Sequence, residues 1–466
     1  MGDATREGLA WEDNGLGPEP QWTRDPDIQA VKRVCCQHLG VSVDETGSYG
    51  AVRISLHADG AFNKLYRVQT HRGDYMMRVS LPVDPRRKTR GEAATLKLVR
   101  QTTGIPVPQV VAFDDLGRNA IGYEWLLMEK MPGVPAYYRW RKMTMAQKAA
   151  LTIRVAEYQA QLLRASNQGN GFRGIGTLGT SLEPGATPTD AGPIVSAFFF
   201  TGPRYDYPVA RGPFASSHDW LRAQLSVIIK EHTTALAEAR TDDDREYAKC
   251  ALRVARKLLR ILHKIFPAIV HPPESTVLWH DDLSLRNIMV DGNNAVTAII
   301  GWECASTMPR WVASQVPEFL RGAVREMMPD RNRYTDVDVA SSSMGTDDLD
   351  DSLDNEGKTE LYWIHLMEYE QTQLRKVYAE RMRQLRPEWD MEVEEGALKV
   401  DFLAAVSRCG SGFYLRRIEQ WVDAIERKEY LSLMEVLRVG IRKQKDVTEP
   451  HKPAASGALT LMNRLS

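Results

Sequence analysis

The hydrophobic period of this chain changes once, at Pro132-Gly133, and that change limits the folds open to it. Upstream, from about residue 50 to 130, apolar side chains recur at every second position. Val52, Ile54 and Leu56 alternate with polar neighbours, and Leu65, Arg67 and Gln69 alternate against Tyr66 and Val68. Tyr75-Met76-Met77-Arg78-Val79 and Trp125-Leu126-Leu127-Met128 also read as strands. Such runs expect a sheet with one face covered. One helix interrupts them, from Thr89 to Gln101, with Ala93, Leu96 and Val99 on one face and Gly104 and Pro106 as its stop. Downstream the period is helical. Thr144 caps a predicted helix to about Arg164, and Asp243-Asp244 open another whose apolar stripe runs from Tyr247 to Ile265. A further helix is expected from Thr359 to Leu385. The N-terminal unit is therefore a small antiparallel sheet with one helix, followed by a mainly helical region.

Four stretches fall outside this pattern. Residues 1–25 are polar with Pro and Gly, and read as a flexible tail. Residues 166–216, rich in Gly, Pro and Thr, read as a loop-rich insertion. Residues 335–358 carry six acids between Asp347 and Glu356 and are expected to be a disordered acidic loop. Residues 446–466 read as a loose C-terminal tail.

Charge is balanced, with 60 Lys+Arg against 61 Asp+Glu, which argues against a nucleic-acid partner. The five cysteines (35, 36, 250, 304 and 409) are odd in number and form no CxxC pair, the pattern of a reduced, cytoplasmic protein. The first 25 residues hold Asp3, Glu7, Glu12 and Asp13 and no apolar core, unlike a secretory leader. No apolar run approaches the ~18 residues of a membrane span, so no membrane partner is expected.

The segment that carries chemistry runs from Trp279 to Val290 and contains H-x-D-L-x-x-x-N between two short strands. Phosphoryl transfer needs a carboxylate beside the attacking hydroxyl and a neutral oxygen donor for a metal ion. Asp282 and Asn287 supply both from one loop, and His280 is placed to brace it. The His280-Asp281 doublet also admits a metal phosphohydrolase, with His263 and His271 as further ligands. The downstream Asn and the flanking strands fit phosphoryl transfer better.

On these residues the chain resembles the aminoglycoside phosphotransferase (APH)/choline kinase-like family of small-molecule kinases, from about residue 55 to 325 and more weakly over 360–385. The resemblance implies an α+β, bilobal, protein-kinase-like fold, with an N-lobe over 26–132 and a larger, mainly helical C-lobe over 133–445. It implies ATP and Mg²⁺ as cofactors and a small hydroxyl-bearing molecule as acceptor. By position, Asp282 corresponds to the catalytic base, Asn287 to a Mg²⁺ ligand and His280 to the loop brace. Ser284, where protein kinases carry Lys, points to the small-molecule branch.

Gly60, in Asp59-Gly60-Ala61-Phe62-Asn63-Lys64, matches the family's nucleotide-covering turn. Gly47-Ser48-Tyr49-Gly50 is a rival, but the cation-bearing strand lies 18 residues after Gly60 and 28 after Gly50, and a hairpin fits the shorter spacing. Arg78 takes the place of the family's phosphate-gripping Lys, with Glu92 as its helix partner. Backbone groups near Glu129 and Met131 would meet the adenine edge. Glu360, Glu368 and Glu370 suit either a cationic acceptor or a solvated helix face.

One position breaks the pattern. The family expects a metal-binding Asp where this chain has Gly301. Glu303 could reach the metal instead, or Asp281 could help from the catalytic loop. Otherwise the chain is a metal-impaired nucleotide-binding pseudokinase or scaffold.

Overall fold

The structure is a computed structural model and describes residues 6–439, apart from 16, 42–51, 166–170, 182–184, 186, 188, 335–357 and 411–412. The rival Gly47–Gly50 turn, nearly all of the acidic 335–358 segment and residues 446–466 lie outside the described residues.

The chain opens with a hairpin, β1 (Leu9–Asp13) and β2 (Pro18–Trp22), and a helix, α1 (Ile28–Leu39). The expectation of a flexible tail over 1–25 is corrected for its described residues. Leu9, Trp11 and Trp22 pack on the N-lobe core, and the Trp22 ring meets Tyr123 at 4.9 Å. Apolar burial of this size outweighs the Pro and Gly content that suggested a loose segment.

The N-lobe sheet comprises β3 (Arg53–Asp59), β4 (Asn63–Thr70), β5 (Gly73–Ser80), β6 (Val110–Asp114) and β7 (Glu124–Glu129). It is antiparallel throughout, in the order β3-β4-β5-β7-β6. Arg78 therefore sits on a central strand, opposite Leu65 on one side and Leu126 on the other. The helix between β5 and β6, α2 (Arg87–Thr102), buries Ala93, Leu96 and Val99 as the periodicity required.

The hinge after β7 is tied to the larger lobe. Next comes β8 (Val134–Pro135), then α3 (Ala136–Arg139) and α4 (Met145–Ala165). Gly133 has φ +96, and a Cβ there would lie 2.4 Å from the Val290 carbonyl oxygen. Only glycine lets the chain pass so close. Thr144 opens α4 as expected: the Gln147 N–H donates to Thr144 Oγ1 at 3.3 Å, and the Thr144 N–H donates to Gln147 Oε1 at 2.9 Å.

The expected insertion is not a plain loop over its described residues. It holds β9 (Phe172–Arg173), β10 (Thr177–Leu178), β11 (Ala191–Gly192) and α5 (Ala197–Phe200), and it buries Ile175, Leu178, Ile194, Phe199, Phe200 and Phe214. Phe200 reaches Phe62 on the β3–β4 turn, ring to ring at 5.2 Å.

Two helices follow, α6 (Ser217–Glu238) and α7 (Asp242–Ile265). The first is absent from the sequence expectations, and the second starts at a Thr241/Asp244 capping box. Four strands then frame the chemistry: β12 (Ser275–Trp279), β13 (Ile288–Val290), β14 (Val296–Ile299) and β15 (Ser306–Pro309). β13 pairs with β14 and with β8, so the segment after β7 and the strand that follows the β12–β13 loop share one small sheet. The lobe is completed by α8 (Arg310–Ala313), α9 (Glu360–Leu385), α10 (Trp389–Arg408), α11 (Leu415–Glu426) and α12 (Leu433–Val439). Among the described residues, no helix is long and apolar enough to cross a membrane.

Candidate functional site

The loop between β12 and β13 carries the H-x-D-L-x-x-x-N residues. His280 is 2% exposed, and its ring lies 4.6 Å from that of Trp302. Its Nε2 is 2.8 Å from the Ile300 carbonyl oxygen. A carbonyl only accepts, so Nε2 bears the proton in this contact. Burial lowers the imidazole pKa and favours the neutral ring. A neutral, pinned imidazole joins the β12–β13 loop to the end of β14.

Asn287 performs the second fixation. Its Nδ2 donates to Asp282 Oδ2 at 2.7 Å and to the Asp282 main-chain oxygen at 2.9 Å. The Ile300 N–H donates to the Asn287 main-chain oxygen at 2.9 Å. Asp282 Oδ1 is buried and has no hydrogen-bond partner. The carboxylate is thus held by one oxygen while the other is uncommitted. Asp281, beside it, is exposed.

Gly301 follows at once. Its φ is +81, and a Cβ there would lie 2.6 Å from both Cγ and Oδ1 of Asn287. The Asn287 carboxamide occupies the space a side chain at 301 would enter. The glycine therefore accommodates the present placement of Asn287.

A second group is built around Arg78. Arg78 Nη1 is 2.5 Å from Glu92 Oε1, with both side chains buried, so the expected strand–helix pair is formed. Glu303 belongs to the same group. Its Oε2 is 2.6 Å from Lys88 Nζ and 3.8 Å from Arg78 Nη1, and it accepts from Asn63 Nδ2 at 2.7 Å. Lys88 also donates to Asn63 Oδ1 at 2.6 Å, as does Ser80 Oγ at 2.9 Å. Burial would raise the Glu303 carboxyl pKa, but Lys88 and Arg78 outweigh it and hold it at about 2.

The remaining expected residues sit at the edges. The Gly60 N–H donates to the Asn63 carbonyl at 2.9 Å, closing the turn that presents Asn63. The Glu129 carboxylate lies 3.3 Å from the Gln109 N–H and 3.5 Å from Arg100. The Met131 N–H has no backbone partner among the described residues. Glu370 is buried against Lys148 at 2.6 Å and the Trp140 indole N–H at 3.1 Å, and Glu368 pairs with Arg325 at 2.9 Å. Those two acids are committed to internal partners. Among the described residues, no group of three or more His, Cys, Asp or Glu side chains is arranged to hold a metal.

His280, Asp282, Asn287 and Gly301 therefore form one cluster, and Arg78, Glu92 and Glu303 another. The Ile300–Glu303 turn joins them. Lys88 and Asn63 also belong to the second cluster, though the sequence marks neither as a site residue. The one available signal is the four-residue spacing of Lys88 and Glu92, which puts both on one helix face.

A cation–carboxylate pair in a small antiparallel sheet lobe, hinged to a helical lobe bearing this loop, defines a kinase-like phosphotransferase class. The profile of the APH family, the Phosphotransferase enzyme family, matches residues 53–312, more than half of the sequence, and the chain belongs to that family. Two curated relatives are subtelomeric hrmA-associated cluster proteins from two strains of Aspergillus fumigatus. Each is 25% identical over 309 residues, which is 56% of this chain and 59% of the relative. The chain thus spans less than two thirds of the length of these relatives. Among solved structures, aminoglycoside phosphotransferase APH(4)-Ia is 13% identical with a TM-score of 0.42, covering 87% of this chain and 100% of its own. A thermostable mutant of it, in ternary complex with ADP and hygromycin B, is 14% identical with a TM-score of 0.41, covering 85% and 98%.

Proposed function

We propose that this chain transfers the γ-phosphoryl group of ATP to a hydroxyl of a small-molecule acceptor. The observation that carries the reading is Asp282: Asn287 fixes one carboxylate oxygen and leaves the other unpartnered. That free oxygen is the group to orient the acceptor hydroxyl and take its proton. His280 keeps the loop in register with β14. Arg78, steadied by Glu92, grips the phosphates through its forked donors. Hinge backbone groups near Glu129 and Met131 meet the adenine edge beneath the Gly60 turn; the Glu129 N–H itself donates to the Gln109 carbonyl at 2.9 Å.

The residues present fit a Mg²⁺ ion that takes few protein ligands and the rest from phosphate and water. Asn287 would hold it through its side-chain oxygen, beside the uncommitted Asp282 oxygen. Such an ion supplies charge neutralisation for the transferred group. Glu303 could join only by leaving Lys88. The free cysteines support a cytoplasmic setting.

Gly301 favours a second reading, a nucleotide-binding pseudokinase or scaffold on the same fold. The purified chain incubated with ATP, Mg²⁺ and a panel of hydroxyl compounds separates the two. The first reading expects turnover that is lost in Asp282→Ala; unchanged activity in that variant removes Asp282 from its role. ATP binding without turnover, with activity appearing in Gly301→Asp, would establish the second. Because a Cβ at 301 meets Asn287, we expect that variant to displace the carboxamide and lower activity instead.

A further inference from the structure

We infer that Lys88 is a positioning residue of the nucleotide site, and that Glu303 serves with it as a latch between the lobes rather than as a metal ligand. The inference rests on the nucleotide reading above. Lys88 is 1% exposed and lies in the first turn of α2. A cation there opposes the helix dipole, so the helix itself gives no reason for it. A buried ammonium also needs a matched charge and filled hydrogen bonds. Glu303 and Asn63 provide these, each at 2.6 Å from Nζ.

The three residues come from three elements. Asn63 begins β4 at the nucleotide-covering turn, Lys88 is on α2, and Glu303 follows β14 in the C-lobe. Their contacts seat the turn on the strand end nearest the catalytic loop. One face of α2 thereby sends Lys88 to Glu303 and Glu92 to Arg78. Two cations and two carboxylates balance in this cluster. If Glu303 moved to a metal, Lys88 would stay buried with an amide oxygen and without its ion-pair contact at 2.6 Å. The latch is the arrangement that leaves no buried charge unpaired.

The test uses the full chain and four variants: Lys88→Met, Lys88→Arg, Glu303→Gln and the Lys88→Met/Glu303→Gln double. Calorimetric titration with ADP, with and without Mg²⁺, is paired with thermal unfolding. We expect Lys88→Met to weaken Mg²⁺-free ADP binding about tenfold, a coupling ordinary for residues in one network. Lys88→Arg should recover most of the affinity. The double variant should regain the melting temperature lost by Lys88→Met but not the affinity, and Glu303→Gln should keep the wild-type Mg²⁺ dependence. Tighter Mg²⁺–ADP binding in Lys88→Met, or loss of Mg²⁺ dependence in Glu303→Gln, would assign Glu303 to the metal and overturn the inference. A lower melting temperature with unchanged ADP affinity in Lys88→Met would reduce the pair to a structural role and also overturn it. Wild-type chain that binds no ADP overturns the nucleotide reading itself, and the inference with it, before any variant is made.

Discussion

Arg78–Glu92 and Lys88–Glu303 are nearly equal in length, 2.5 and 2.6 Å, and both use α2. They differ in what they join. The first is confined to the N-lobe, where it fastens a central strand to the helix. The second reaches from that helix to the turn after β14, in the other lobe. Their surroundings differ as well: the Glu92 side chain is fully enclosed, whereas that of Glu303 keeps 26% of its surface. An enclosed pair fixes where a cation stands, while a pair at the cleft edge also fixes how two lobes meet. Gly301, where the resemblance leads us to expect a metal-binding Asp, lies two residues before Glu303.

The largest effect expected leaves both pairs intact. Asp282→Ala should cut turnover about 10²- to 10⁴-fold, the usual contribution of a positioned general base, while ADP affinity stays near wild type. Steady-state kinetics beside calorimetry checks this, and a parallel fall in affinity would show that Asp282 belongs to binding as well.

The pairs themselves should break unequally. Glu92→Ala leaves the buried Arg78 guanidinium only its longer 3.8 Å contact with Glu303 and is expected to cost about 3–5 kcal/mol of stability. Lys88→Met leaves a carboxylate that water can reach, and should cost about 1–3 kcal/mol. Denaturant unfolding measures both, and equal costs would erase the distinction between enclosed and cleft-edge pairs.

The smallest effect is one of pH. The folded-state carboxyl of Glu303 titrates at about 2, below its usual 4.5. Its contribution is therefore present above pH 4.5 and is lost as pH falls toward 2. Stability of the natural chain should decline more steeply over that window than stability of Glu303→Gln. Identical acid profiles would mean that Lys88 does not hold Glu303 in solution.

The features legible in the sequence are those set by local pattern. The β4–β5–β7 strands, α2, α4, α7 and α9 follow from period and caps, and Asp282, Asn287 and His280 follow from spacing within one loop. The Arg78–Glu92 pair is legible through the family resemblance, whose strand cation and helix Glu fall on these positions. Other features depend on distant partners. The β1–β2 hairpin is held by Tyr123, about a hundred residues away. The α6 helix buries Trp220, Leu221, Leu225, Val227 and Ile228, so its apolar residues do not form a single narrow stripe. The described residues of the 172–214 segment are packed through burial of Phe199, Phe200 and Phe214, which Gly and Pro content conceals. Lys88 reads as one more helix cation until Glu303, more than two hundred residues on, is placed against it.

The central claim, that this cleft binds ATP for phosphoryl transfer, is tested most directly by thermal unfolding of the full chain with ATP alone and with ATP and Mg²⁺. A ligand that binds only the folded state raises the melting temperature. The account predicts a rise with ATP that grows when Mg²⁺ is added. No shift under either condition would contradict it.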